Sequence, residues 1–113
     1  MLAKNSRIKR NNDFDLVFKE KRSIYGQFLG LKIRSNNLLR NRFGVLLGTK
    51  VSKLAVLRNT YKRRVKRVLS LEDKKLKTGN DLVVIVLPAI VGKKYQEIEN
   101  EIKTILSKLK LYS

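Results

Sequence analysis

RFGVLLGTKVSKLAVLRNTYKRRVKRVLSLEDKKLKTGNDLVVIVL, residues 42–87, sets the fold, because its hydrophobic period changes twice. Phe43 to Thr49 is a mostly apolar run of strand length. Leu82 to Leu87 is rich in β-branched residues and bounded by Gly79-Asn80 and Pro88, so it reads as a second buried strand. Between them, from about Ser52 to Leu71, apolar residues recur at helical spacing. Two buried strands separated by such a helix predict a βαβ crossover.

Working outward, Ser23 to Arg34 reads as one or two extended segments, and Asn36-Asn37 marks a turn. Asn12 is placed to cap a first helix, with Asp13 and Asp15 in the turn where negative charge is favoured. Phe14, Val17 and Phe18 give that helix one apolar face. Downstream, Tyr95, Ile98, Ile102, Ile105, Leu106 and Leu109 define an amphipathic C-terminal helix. The expected order is α-β-β-β-α-β-α in one domain over residues 1–113, with residues 1–11 as a loose basic arm.

Charge narrows the function. The 113 residues carry 27 Lys and Arg against 9 Asp and Glu, a net charge of +18. Self-repulsion on that scale costs stability, and a polyanionic partner relieves it. The charge is also uneven: residues 1–69 hold 19 basic and 3 acidic side chains, residues 70–113 hold 8 and 6. The binding surface is therefore expected in the first two-thirds. There is no Cys and no His, which removes disulfides, thiolate metal sites and the commonest general base. The N-terminal Lys4, Arg7, Lys9 and Arg10 have no apolar stretch behind them, and the longest apolar run, Leu82 to Val91, contains Pro88 and is too short to span a bilayer. A cytoplasmic protein is expected.

Residues 58–67, RNTYKRRVKR, place six cations in ten residues. On a helical wheel Leu54, Leu57, Tyr61, Val65, Val68 and Leu69 fall within roughly 120°, and Arg58, Lys62, Arg63, Lys66 and Arg67 within a separate arc of roughly 140°. Arg64 lies on the opposite flank. A merely solvated helix alternates its charges and gains from i,i+4 pairs. Here Arg58, Lys62 and Lys66 stack on one another, as do Arg63 and Arg67, with no acid before Glu72. That arrangement points to phosphate. The helix alone does not separate RNA from DNA, although an apolar strand stands where a helix-turn-helix would need its first helix.

Lys50-Val51-Ser52-Lys53-Leu54-Ala55-Val56-Leu57-Arg58-Asn59-Thr60-Tyr61-Lys62-Arg63 resembles the K-x-x-K-x-A-x-x-R-N-R-x-K-R run of the ribonuclease P protein family. The resemblance continues in Arg42-Phe43-Gly44-Val45 and in Arg7 to Phe18, RIKRNNDFDLVF, and spans nearly the whole chain. It implies an α+β fold: a small two-layer α/β sandwich on a four-stranded sheet, with a left-handed βαβ crossover where the general rule gives a right-handed one. It further implies a protein subunit that is itself non-catalytic. Its partners would be the ribonuclease P catalytic RNA and precursor tRNA, with no DNA and no membrane. The RNA would remove the 5′ leader to make the mature tRNA end, using Mg2+ bound mainly through the RNA, with none held by the protein alone. Carried onto this sequence, the RNA-binding residues are Lys50, Lys53, Arg58, Asn59, Lys62, Arg63, Lys66 and Arg67, joined by Arg7, Lys9 and Arg10. Thr60 stands where the family has Arg, with Arg64 or Lys66 as the candidates to replace its contact.

The same resemblance places Phe14, Phe18, Tyr25 and Phe28 in a cleft for the single-stranded leader, where aromatic rings stack on bases. A purely structural role for these rings is the competing reading, and Gly26 and Gly30 fit either a close backbone approach or a bulge. Another small basic RNA-binding protein, such as a ribosomal protein, is the alternative function. A metal-dependent nuclease fits poorly: on a helix Asp13 and Asp15 point about 200° apart, and Glu97, Glu99 and Glu101 spread likewise. A membrane-surface role fits poorly too, since Tyr61 is the one aromatic anchor in the basic helix.

Overall fold

The computed structural model describes residues 7–8, 19, 22–47 and 50–113. Strands β1 (Ser23–Tyr25), β2 (Leu29–Ser35) and β3 (Arg42–Leu46) precede helix α1 (Ala55–Asp73). Strand β4 (Asn80–Val86), a short 3-10 turn (Pro88–Ile90) and helix α2 (Tyr95–Lys108) follow. The expected first helix lies outside the described residues except for Lys19, which is helical. The four strands form one sheet in the order β1-β2-β4-β3. β1 and β2 form an antiparallel hairpin, β4 inserts antiparallel to β2, and β3 lies parallel to β4. The expected crossover is therefore present, with α1 as the connection between two neighbouring parallel strands.

Alternation within the strands sorts the sheet into two faces. Leu29, Leu31 and Ile33 of β2, Phe43 and Val45 of β3, and Leu82, Val84 and Val86 of β4 point to one side. There they form a single core with Tyr61, Val65, Val68 and Leu69 of α1 and Ile98, Ile102, Ile105 and Leu106 of α2. Both α1 and α2 thus cover the same face, giving two layers among the described residues. Across the sheet, Val83 packs with Ile8, Leu46 and Ile85 in a smaller cluster on the other face.

Two sequence expectations need correction. Leu54 and Leu57 belong to the apolar arc of the wheel, yet they are 64% and 37% exposed, because burial along α1 begins only at Tyr61. The helix also starts at Ala55 rather than Ser52. Ser52 lies in the preceding turn, where its Oγ accepts from the Leu54 N–H at 3.1 Å.

Two buried carboxylates hold the loops in place. Asp81, 1% exposed, accepts from Arg42 Nε at 2.8 Å, Arg42 Nη2 at 2.6 Å and Asn36 Nδ2 at 2.8 Å. Its fork pairing joins the first rung of the β3–β4 ladder to the β2–β3 turn. Glu72, near the end of α1, accepts from the Tyr112 hydroxyl at 2.7 Å and pairs with Lys75 at 3.5 Å. Burial, then the hydrogen bond and charge of Glu72, push the Tyr112 phenol well above its usual range. The C-terminal residues are tied down further by a bridge between Leu76 and Tyr112.

Asp81→Ala leaves Arg42 and Asn36 facing an empty acceptor site. Removal of one partner from a buried pair costs about 3 kcal/mol or more, so urea unfolding should show a loss of that order. A loss below about 1 kcal/mol would assign the register to the apolar strand pairs alone.

Candidate RNA interface

Burial of Tyr61, Val65, Val68 and Leu69 fixes the rotation of α1 and so decides where its cations point. Asn59, Lys62, Arg63 and Lys66, with Val56, line one open groove of about 550 Å³. No Asp or Glu is among its described lining residues. Arg7 reaches the same place through the backbone. It forms a parallel bridge with Phe43, and the Ile8 N–H donates to the Phe43 carbonyl at 2.9 Å. Arg7, Lys62 and Lys66 then surround a smaller recess of about 90 Å³, lined also by Ile8 and by Phe43, Gly44 and Val45 of β3. Burial, then the neighbouring charges of Lys62 and Arg7, lower the pKa of the Lys66 amine. Three cations from two distant parts of the chain therefore repel one another across a recess with no described acid in its wall. An anion seated there would reverse the sign of that interaction.

The remaining basic residues divide. Arg67 is exposed one turn beyond Arg63 and extends the ridge. Arg58 turns back and donates from Nη1 to the Ser52 carbonyl at 2.8 Å, so it also braces the start of α1. Lys53 is exposed in the turn before the helix. Lys50 is exposed as well but borders an apolar recess with Leu46, Leu47, Val51, Leu87 and Pro88, away from the groove. Lys9 and Arg10 lie outside the described residues. The Thr60 hydroxyl donates to the Val56 carbonyl at 2.9 Å. Of the two candidates to replace the missing Arg there, Lys66 sits on the ridge and Arg64 does not. The Arg64 guanidinium lies 5.5 Å from the centre of the Tyr61 ring and donates to the Lys93 carbonyl at 3.4 Å. The Tyr61 hydroxyl accepts from the Gly92 N–H at 2.8 Å. Tyr61 and Arg64 thus fasten α1 to the segment entering α2, a role that the helical wheel did not disclose.

The aromatic residues also separate. Phe28 is 4% exposed and belongs to the core, with the Lys93 ammonium 5.5 Å from its ring centre. Tyr25 is 52% exposed. Its neighbour Ile24 packs on the core, so Tyr25 points to the opposite face of the sheet. Phe14 and Phe18 lie outside the described residues. The Glu101 carboxylate, which the sequence offered only as one of three spread acids, holds the turn between β1 and β2. Oε1 accepts from the Gln27 N–H and Oε2 from the Phe28 N–H, both at 2.9 Å. Gly26 permits this, since a Cβ there would stand 2.7 Å from Glu101 Cδ. Among the described residues no group of three or more His, Cys, Asp or Glu is placed to hold a metal ion, and no helix is long and apolar enough to cross a membrane.

A family model described as Ribonuclease P matches residues 2–110. The chain belongs to the ribonuclease P protein family. It is 35% identical over 112 residues to the ribonuclease P protein component of Alkaliphilus metalliredigens, an alignment covering 99% of this chain and 100% of that one. It is 39% identical over 108 residues to the ribonuclease P protein component of Clostridium kluyveri, covering 94% and 96%. Among solved structures, a Staphylococcus aureus RNase P protein mutant with defective mRNA degradation activity is similar with a TM-score of 0.89 at 25% identity, covering 96% of this chain and 92% of that one. The Thermotoga maritima RNase P protein in complex with 1-(4-fluorophenyl)-2-thiourea shares the fold with a TM-score of 0.83 at 24% identity, covering 90% and 98%. The chain is a protein subunit of ribonuclease P, a ribonucleoprotein endoribonuclease of tRNA processing, and its partner is ribonuclease P RNA.

Lys66→Gln separates binding from stability at the ridge. It removes a half-buried charge that Lys62 and Arg7 repel, so the melting temperature of the free protein should stay level or rise. Affinity for ribonuclease P RNA should fall, and the log–log salt slope should become shallower by about 0.7 to 0.9 if Lys66 meets one phosphate. A lower melting temperature with an unchanged slope would place Lys66 in the fold rather than the interface.

Proposed function

We propose that the protein binds ribonuclease P RNA through the α1 ridge and holds the 5′ leader of precursor tRNA against the sheet face opposite α1 and α2. The observation that carries this reading is the convergence of Arg7 with Lys62 and Lys66 around a recess with no acid among its described lining residues. A fold gains nothing from gathering like charges unless a polyanion occupies the site. Asn59, Arg63 and Arg67 continue the contact along the helix. Lys53 and Arg58 extend it at the helix start, Lys50 adds a cation outside the groove, and Lys9 and Arg10 follow Arg7 in the sequence. The chain works as one RNA-binding domain, with residues 1–11 as its basic arm.

Leader binding falls to Tyr25 on the face opposite α1 and α2, with Phe14 and Phe18 as its partners in the sequence reading. Phe28, sealed in the core, supports the sheet beneath. Hydrolysis and its Mg2+ belong to the RNA, and the protein contributes substrate affinity and charge neutralisation in the cytoplasm. Charge neutralisation lowers the divalent cation concentration that a folded polyanion needs, because protein cations replace part of the ion atmosphere.

Reconstitution tests this division of labour. The protein alone should leave precursor tRNA intact. With its cognate RNA it should support cleavage at a Mg2+ concentration where the RNA alone is slow. Cleavage by RNA-free protein would overturn the proposal, as would an RNA whose Mg2+ requirement is indifferent to the protein.

A further inference from the structure

Gly30 and Tyr25 occupy one position between them. They are direct cross-strand partners on β2 and β1. Gly30 has no side chain, and the Tyr25 ring fills the space that one would take. A Cβ at residue 30 would stand 2.2 Å from Cδ1 and 2.3 Å from Cε1 of Tyr25. The ring therefore lies across the backbone of Gly30, with one side on the sheet, while the residue remains 52% exposed. The turn behind it is held by Glu101 through the Gln27 and Phe28 N–H groups, which fixes the end of β1 that carries Tyr25.

The sheet register supplies the setting. Gly30 pairs with Ile85, and Ile85 with Leu46, so the Tyr25 ring begins a row that is aromatic and aliphatic. Two residues further along β2 the same face carries Lys32, and two more bring Arg34. An apolar row followed by cations suits a strand whose bases lie flat and whose phosphates run alongside. It does not suit a duplex, whose bases are already stacked on one another.

We infer that Gly30 is a positioning residue whose missing side chain seats the Tyr25 ring flat on the sheet, as a stacking platform for one unpaired base of the leader. The inference rests on the leader reading above and goes beyond it in one respect: it makes a glycine with no ligand contact of its own a determinant of leader affinity. Any Cβ at residue 30 lifts or expels the ring, since the atoms it meets belong to a rigid aromatic rather than a flexible chain end.

The test uses the reconstituted holoenzyme and compares precursor tRNA carrying an unpaired leader with mature tRNA lacking one. Tyr25→Leu and Gly30→Ala should each weaken binding of the leader-bearing substrate about 10-fold and leave mature tRNA binding unchanged. Tyr25→Phe should retain wild-type affinity, because stacking needs the ring and not the hydroxyl. The double variant should bind no more weakly than either single one, since both remove the same platform. Wild-type affinity of Tyr25→Leu for the leader-bearing substrate, in a holoenzyme that still prefers that substrate, overturns the platform while sparing the leader reading. A wild-type holoenzyme that binds both substrates alike overturns the leader reading and the platform with it. Gly30→Ala could also disturb the sheet, so its thermal stability is measured in parallel. Additive losses in the double variant would show that Gly30 acts on folding rather than through Tyr25.

Discussion

The pairing of Asp81 with Arg42 is the constraint on which the rest of the molecule turns. It closes the first rung between β3 and β4, the only parallel neighbours in the sheet of described residues. Parallel strands have no hairpin to set their register, and a slip of one residue would turn every core side chain to the wrong face. A fork of two hydrogen bonds onto a carboxylate that is 1% exposed removes that freedom. Asn36 adds the β2–β3 turn to the same acid. With β3 and β4 in register, the connecting helix has one way to bury Tyr61, Val65, Val68 and Leu69.

Register in the sheet therefore aims the cations on the helix. Lys62 and Lys66 come to rest against β3, where the Arg7–Phe43 bridge delivers a third positive charge. The arrangement gathers like charges in the free protein, and burial first, then the charges of Lys62 and Arg7, lower the pKa of Lys66. The apolar face of α1 and the Tyr61–Arg64 attachment to the α2 entry supply the stability that lets such a ridge persist. Binding of a polyanion then converts repulsion within the protein into attraction across an interface. The two ends of the sheet are equipped differently: charge gathers at the β3 edge, and the exposed aromatic ring sits at the β1 edge. A small domain thereby carries a charged region and an aromatic one at opposite edges of its sheet.

Much of this is legible in the linear chain, because it depends on periodicity and composition. The LVVIVL run, the six cations of residues 58–67 and the amphipathic C-terminal segment each follow from spacing within one element. Local patterning fails where a side chain's fate is set by an element far away in sequence. Leu54 and Leu57 satisfy the wheel but precede the point where α1 meets the sheet. Arg64 resembles its basic neighbours until Tyr61 and the Lys93 carbonyl claim it. Tyr25 and Phe28 look equivalent as aromatic residues near a turn, yet strand alternation and the Glu101 clamp put one outside and one inside.

The sequence by itself determined the strand–helix–strand order of residues 42–87, the C-terminal helix, the charge that calls for a polyanion and the helix that carries it. These follow from interactions between residues a few positions apart, whose geometry is the same in any fold. Tertiary structure alone decided that Arg7 joins Lys62 and Lys66, that Asp81 is the buried partner of Arg42, and that the Tyr25 ring rests on Gly30. Each of those contacts depends on strand order and register, and these are settled by the packing of the whole sheet against its helices rather than by any local preference.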